Sequence, residues 1–499
     1  MQTYIPSEQQ QDFFDWVSND TGSCILTAVA GAGKTTTLIQ SLSMMKGSKF
    51  FGAYNKKIAE EIAIKAGDNN LANLTVSTLH AAGMRAWKKV ANKFFKVDGD
   101  KCRTIFRDEV QRINPQDLHF EGPVLQLVSL AKQTGFGIDG QPALNFYPAY
   151  DNLIDHYSVE VFDEATGTDY RDRIIEIAIH ILELSNIVCS RLIDFDDMIY
   201  APLYFNVSFD KYDWVLIDEA QDTNATRRLM ALRMMKPTSR LVAVGDCHQA
   251  IYGFTGADSN ALDLIAEATN AKLLPLTTTF RCPKSIVLYA QQWVNHIHAA
   301  DTAPEGIVRH SEINKLFEEA QVGDAILCRF NAPLIKNVYQ LIAKGIPARV
   351  EGREIGAGLK QLVNRWKVKN IDTLLVKLTG YLEREVAKYT AKENMKAVEA
   401  VTDKVECLRV IIDRVIAKGV ITQPPQTAVI AEIDAIFVPA TRTMKSRLFC
   451  LAQSTKQKEK NGIKLFGCKV AHHPLRNLIG KLFRKKIFVM LPLLVQSMS

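Results

Sequence analysis

Ala28-Val29-Ala30-Gly31-Ala32-Gly33-Lys34-Thr35 follows a short apolar run at 24–29 (CILTAV) and opens a stretch with helical character from Lys34. The apolar run reads as a buried strand. A strand, a glycine-rich turn and a helix start, closed by Gly-Lys-Thr, form the frame that a phosphate-binding loop requires. Gly31 and Gly33 let backbone N–H groups turn inward around phosphate oxygens, and the helix N-terminus adds partial positive charge. Lys34 is placed to reach the β- and γ-phosphates of ATP, and the Thr35 hydroxyl to coordinate Mg²⁺. Ala28 stands where the general pattern has glycine. The competing interpretation of the segment alone is a glycine-rich turn with no ligand.

A second segment removes most of that ambiguity. Val215-Leu216-Ile217-Asp218-Glu219-Ala220-Gln221-Asp222 is an apolar strand ending in two carboxylates. Ligands of parallel α/β sheets sit at the carboxyl ends of strands. Asp218 is expected to hold Mg²⁺, largely through water, and Glu219 to orient and deprotonate an attacking water. Phosphoryl transfer asks mainly for positioning and charge neutralisation, which these groups supply.

Apolar runs at 214–217 (WVLI) and 241–244 (LVAV) add further buried strands, so the fold class is α/β with a parallel sheet. Lys34 and Asp218 lie 184 residues apart, far more than one compact nucleotide-binding core needs. Residues 90–185 read as a mostly helical insertion, and residues 357–418 as a second helical stretch with clear periodicity. Gln423-Pro424-Pro425 marks a turn or linker.

The 499 residues suffice for several domains, and the net charge of +7 permits a polyanionic partner without demanding one. Nine cysteines are dispersed with no CxxC pair, which argues for a reducing compartment and against a disulfide framework. No zinc-spaced cluster stands out; His296 and His298 alone would need other ligands. The N-terminus lacks the pattern of a signal peptide, and the apolar run 487–495 is too short to span a bilayer. A cytoplasmic location and no membrane partner are expected.

The ordered set of motifs resembles superfamily 1 helicases of the Rep/UvrD type. Ser7-Glu8-Gln9 resembles the Q motif, whose glutamine reads adenine, with Gln9 preferred over Gln10. Ala53-Tyr54-Asn55-Lys56 and Thr78-Leu79-His80 resemble two DNA-contact motifs. Gly245 to Ala257 resembles motif III, and Thr279-Phe280-Arg281-Cys282-Pro283 motif IV. The resemblance implies two RecA-like motor domains with helical insertions, ATP and Mg²⁺ between them, and 3′→5′ movement on single-stranded DNA up to duplex junctions. It implies an ATP site of Gln9, Ala30, Gly31, Ala32, Gly33, Lys34, Thr35, Thr36 and Phe280. Phe280 stands where the family usually has tyrosine for stacking on adenine. Gln249 would sense the γ-phosphate, and Arg281 would act as an arginine finger from the second motor domain. Tyr54, Asn55, Thr78, His80, Tyr252 and Phe254 would contact DNA, the last two by stacking on bases. Such stacking accepts RNA as readily as DNA. Thr36 and Thr37 occupy positions where many relatives carry an arginine near the base, which weakens the expectation of adenine selectivity.

The implied domain map assigns 1–90 and 186–279 to the first motor domain, with 91–185 inserted. It assigns 280–356 and 426–499 to the second, with 357–425 inserted. The last segment departs from the family. Motif V (H-K-A-K-G-x-E-W) is missing, and Arg442 in 438–449 (VPATRTMKSRLF) only mimics motif VI. Translation in the neighbouring frame, with each codon's third base joined to the next two, changes this. Permitted codons from Phe449 to Lys469 spell LSSTIHKAKGKEWHKVIWLQ, a complete motif V. Those from Lys485 to Ser499 spell ENICYVAITRSKHE, a complete motif VI. The expectation is a gene that lost one nucleotide, or gained two, near codons 435–448, so that the chain after about residue 437 is out of frame and supplies no last strands. The leading function is an ATP-dependent DNA helicase or translocase. The alternative is a truncated, hydrolysis-deficient, nucleotide-gated single-strand binder. A helicase–nuclease lacks any carboxylate-rich nuclease motif to support it.

Overall fold

The computed structural model describes residues 5–53, 56–68, 73–92, 94–157, 159–163, 168–249, 260–309, 313–321, 324–328, 330–346, 348–351, 353–366, 368–391, 395–419, 425–437, 448–452 and 487–490. They divide into two compact units, with the boundary at Gly306/Ile307.

The first unit is built on a six-stranded parallel sheet. Its strands are β1 (Cys24–Ala28), β2 (Lys49–Ala53), β3 (Leu74–Thr78), β4 (Tyr212–Asp218), β5 (Met235–Gly245) and β6 (Lys272–Leu276). Their spatial order is β6-β1-β5-β4-β2-β3, with every neighbouring pair parallel. Successive residues of these strands feed opposite cores. Ile25, Phe50, Val215, Ile217, Leu241 and Ala243 join the core on one face. Leu26, Phe51, Trp214, Leu216, Val242 and Val244 join the core on the other. A sheet covered on both faces needs continuous apolar runs and not alternation, which is why CILTA, WVLI and LVAV carry no polar beat. Strands β2, β3 and β6 add to the three runs evident in the sequence.

Helix α1 (Glu8–Asn19) precedes the sheet, and α2 (Lys34–Ser41) follows β1. Helix α3 spans Lys56–Asp68, and α4 spans Leu79–Trp87. The segment between α4 and β4 is largely helical, with α5 (Lys101–Ile113), α6 (Glu121–Thr134), α7 (Tyr147–Tyr157), α8 (Arg171–Val188) and α9 (Asp197–Tyr204). Its core is continuous with one face of the sheet. Helices α10 (Ala225–Arg233) and α11 (Ala261–Thr269) follow β4 and β5. Residues 280–306 belong to this first unit: Thr278–Thr279 pairs in parallel with His298–Ala299, and Val287 and Ile297 pack in its core.

The second unit has a four-stranded parallel sheet of β7 (Ala325–Cys328), β8 (Ala348–Glu351), β9 (Leu448–Ala452) and β10 (Ile487–Met490), in the order β8-β9-β7-β10. Helices over Asn331–Ala343, Arg353–Asn364, Ile371–Ala391, Met395–Ala417 and Pro425–Ile436 complete it. Strands β9 and β10 correct the expectation that the tail contributes none. LFCLA and IFVM are short apolar runs free of glycine and proline, which suit parallel strands whatever the origin of their codons, the first inside the sheet and the second at its edge.

Candidate active site

The loop between β1 and α2 takes its shape from two glycines in the left-handed region, Gly31 at φ +79° and Gly33 at φ +78°. Gly33 is the N-cap of α2 and offers no side-chain hydrogen bond to it. The first N–H groups of the helix are therefore left for another acceptor, an arrangement that suits phosphate oxygens. Gly31 is also constrained from outside: a Cβ there would stand 2.6 Å from both Thr279 Oγ1 and Arg281 Cβ. Phe280 N–H donates to the Gly31 carbonyl at 3.0 Å. The chain leaving β6 thus lies directly on the loop.

Ala32 is buried, Ala30 partly so, and Thr36 is exposed. Lys34 is buried, with its Nζ 3.5 Å from Glu219 Oε2. The Thr35 hydroxyl donates to Asp218 Oδ2 at 2.8 Å. Asp218 ends β4 at the carboxyl edge of the sheet, and Glu219 follows it in a left-handed turn at φ +57°. A hydroxyl and a carboxylate converging beside a lysine and a bare helix start form a donor set that fits a Mg²⁺–nucleotide.

Behind this pair runs a buried polar relay that the motifs did not single out. Gln221 Nε2 donates to Glu219 Oε2 at 3.0 Å, and Gln221 Oε1 accepts from the Asp246 N–H at 3.2 Å. Asp246 in turn accepts from Gln249 Nε2. Lys34, Glu219, Gln221, Asp246 and Gln249 are each less than 10% exposed. Asp246 had one visible signal, a polar side chain immediately after a strand of buried apolar residues, whereas Gln221 stands three residues beyond the end of β4.

Gln9 and Gln10 have different tasks. Gln10 closes a capping box with Ser7 on α1 and donates to Thr37 Oγ1 at 2.9 Å. Gln9 pairs on both sides of its amide with Thr277, donating to Oγ1 at 2.9 Å and accepting from N–H at 2.7 Å. Phe280 is 53% exposed. Arg281 is exposed and follows Thr279, whose hydroxyl accepts its N–H at 3.3 Å. Arg281 lies within the first compact unit, where β6 delivers the chain straight back across the phosphate loop.

Of the expected DNA-contact residues, Thr78 caps α4 by accepting from the Ala81 N–H at 3.2 Å. His80 lies in the first turn of that helix. Burial, then the Arg227 cation, push its imidazole down to about 4. Arg227 also donates to the Asp222 carbonyl at 3.3 Å, which ties the first turn of α10 to the loop after β4. Tyr54, Asn55, Tyr252, Phe254 and Arg442 lie outside the described residues. Among the described residues no helix is long and apolar enough to cross a membrane, and no cluster of three metal-ligating side chains occurs.

The UvrD/REP helicase N-terminal domain model matches residues 8–270. The chain is similar to the ATP-dependent DNA helicase PcrA of Leuconostoc citreum, at 25% identity over 307 residues covering 56% of this chain and 38% of that protein. PcrA of Staphylococcus aureus is 22% identical over 319 residues, covering 58% of this chain and 40% of the relative. PcrA of Staphylococcus epidermidis is 23% identical over 315 residues, with 57% and 39% covered. The match spans about two fifths of the length of these relatives.

Proposed function

Since the chain belongs to the UvrD/REP helicase family, we propose that its first unit is the ATP-hydrolysing half of a DNA helicase or translocase that moves 3′→5′ on single-stranded DNA. The observation that carries this is the convergence of Lys34 and Thr35 with Asp218 and Glu219 beneath Arg281. The loop N–H groups and Lys34 hold the β- and γ-phosphates. Thr35 and Asp218 would hold Mg²⁺, which would supply charge neutralisation to the phosphates when bound. Glu219 takes a proton from the water that attacks the γ-phosphorus, while the bond to the bridging oxygen breaks and ADP leaves. Gln221 keeps the Glu219 carboxylate oriented. Gln249, hydrogen-bonded to Asp246, is placed to exchange that bond for one to the γ-phosphate and so report its loss. Arg281 adds positive charge as the transition state spreads charge over the phosphoryl oxygens. Phe280 and Gln9 frame the base. Thr78, His80, Tyr54, Asn55, Tyr252 and Phe254 serve the DNA strand.

The chain after about residue 437 is, in this proposal, out of frame. Two family motifs, in order and in one alternative frame, support it. A tail without motifs V and VI would leave the ATP site without its second arginine, and the chain as written would be a nucleotide-gated single-strand binder. The nucleotide sequence of codons 430–499 tests the frame directly, because third bases that forbid either string end the idea. Function is tested by ATPase and strand-displacement assays on the chain as written and on a frame-restored chain. Single-strand-stimulated hydrolysis and 3′→5′ unwinding are expected only after restoration. Robust unwinding by the chain as written would overturn the frame proposal and leave the helicase proposal standing. No stimulation in either chain would overturn the helicase proposal.

A further inference from the structure

Gln9 and Gln10 are neighbours in the first turn of α1, and their side chains reach different parts of the ATP site. Gln10 Nε2 donates to Thr37 Oγ1 on α2 at 2.9 Å, and that hydroxyl donates to the Gly33 carbonyl at 3.1 Å. Gln9 reaches Thr277, one residue past the end of β6. Adjacent helix residues point about 100° apart. One turn of α1 therefore holds the phosphate-loop helix with one side chain and the chain leaving β6 with the other.

The contact to Thr277 uses both ends of the Gln9 amide. Nε2 donates to Thr277 Oγ1 at 2.9 Å, and Oε1 accepts the Thr277 N–H at 2.7 Å, with the hydroxyl 3.2 Å from the same oxygen. A glutamine that reads adenine spends one acceptor on the N6 amine and one donor on N7 together. In Gln9 that pair is already spent on Thr277.

Thr277 opens a segment that lies against the loop. The Leu276 carbonyl before it accepts from the Val29 N–H at 2.9 Å, and its own carbonyl accepts from the His298 N–H at 2.9 Å. Thr279 is fully buried with its hydroxyl close to Gly31, and Phe280 N–H donates to the Gly31 carbonyl. Phe280 and Arg281 come next in the chain. The bonds of Leu276 and Phe280 are main-chain bonds that many sequences could make. The bond of Gln9 depends on its side chain.

We propose that Gln9 is a positioning residue: it fixes Thr277, and through Thr277 the place of Phe280 and Arg281 against the phosphate loop, and it does not itself read the base. This role rests on the reading of Ala28–Thr35 as an ATP site. A side chain that read adenine would separate ATP from GTP. A side chain that sets the wall of the site changes the affinity for both alike, because stacking and phosphate contacts are common to the two nucleotides.

The test is fluorescence titration of the full chain with N-methylanthraniloyl ATP and with the matching GTP analogue, both with Mg²⁺. Gln9→Ala should weaken both by the same factor, about fivefold for the hydrogen bonds lost, and leave the ratio of the two affinities unchanged. Thr277→Val removes the hydroxyl and should weaken both by about twofold to threefold, whereas Thr277→Ser keeps it and should match the parent. In the Thr277→Val background Gln9→Ala should cost less than in the parent, because the two side chains form one contact. If Gln9→Ala does not fold, Thr277→Val against Thr277→Ser decides by the same ratio. Loss of the ATP analogue with the GTP analogue unaffected would make Gln9 the base reader and overturn the proposal. Additive losses in the cycle, or parental affinity for both analogues in the folded variants, would overturn it as well. A parent chain that binds neither analogue overturns the ATP-site reading together with this role, whereas parental binding with unaffected variants removes this role alone.

Discussion

Thr35 and Asp218, 183 residues apart in sequence, meet in a 2.8 Å hydrogen bond from the threonine hydroxyl to Oδ2 of the carboxylate. The contact exists because β1 and β4 both end at the carboxyl edge of one parallel sheet. It also makes the pair a unit. Thr35→Ala and Asp218→Asn should each lower kcat for hydrolysis in the frame-restored chain by roughly 10²–10³. The double variant should cost little more than the worse single one, since residues acting together are not additive. Additive losses in a double-mutant cycle would show that the two act separately.

Gly31→Ala should destabilise the first unit by about 1–3 kcal/mol, because an alanine must take a left-handed φ. Adding Thr279→Ala removes one of the two close atoms and should recover only part of the loss, since Arg281 Cβ stays 2.6 Å from the new methyl group. Urea unfolding of the parent chain and both variants measures this. Full recovery would contradict the stated backbone strain.

Gln221→Ala leaves a buried Glu219 carboxylate without the amide that orients it. Hydrolysis by the frame-restored chain should fall by about 10–10², as for loss of a positioned catalytic group. Binding of a fluorescent ATP analogue should change by no more than about twofold, since Lys34 and the loop are untouched. An equal loss of binding and turnover would assign Gln221 to the nucleotide pocket instead.

Two groups make stability depend on pH with opposite signs. His80 is held at about 4 against an ordinary 6.5, so the folded state favours the neutral ring. Its contribution is complete above pH 6.5 and is lost as pH falls through 4. Asp196 accepts from Ser129 and Gln133 and is raised to about 6 from 3.8, by burial and then by the Asp194 carboxylate. Its contribution is complete below 3.8 and is lost as pH rises through 6. Between pH 4 and 6, His80→Gln should lose less stability on acidification than the parent chain. Asp196→Asn should gain stability relative to the parent as pH rises over the same range. Denaturant midpoints across this window check both slopes.

Lys132 lies fully buried between Asp194 at 2.6 Å and Asp197 at 2.7 Å, while Lys101 reaches Asp197 at 2.6 Å. Burial opposes the charge on Lys132, yet the Asp197 and Asp194 carboxylates outweigh it and hold its pKa well above the usual value. Lys132→Met should therefore destabilise the first unit by about 3–5 kcal/mol, the cost of stranding a buried charge. Calorimetry on the full chain would reveal it as a lower melting temperature of the first unit. An unchanged transition would mean that the cluster is solvated.

Much of this was legible residue by residue. A run such as CILTAV followed by two glycines, lysine and threonine can satisfy its own backbone in few ways, so strand, phosphate loop and helix are local properties. The same holds for the apolar strand that ends in Asp218 and Glu219. The relay through Gln221 and Asp246 was not legible, because its hydrogen bonds join the ends of β4 and β5 and exist only once those strands lie side by side. Nor was the position of Arg281, which depends on β6 pairing with β1 and returning the chain across Gly31. Nothing in the sequence around Lys101 and Lys132 shows that Asp194 and Asp197 arrive to bury with them. Local chemistry chose the groups that bind phosphate. Long-range strand order chose which of them touch, because burial in a parallel sheet brings together ends that the chain itself keeps far apart.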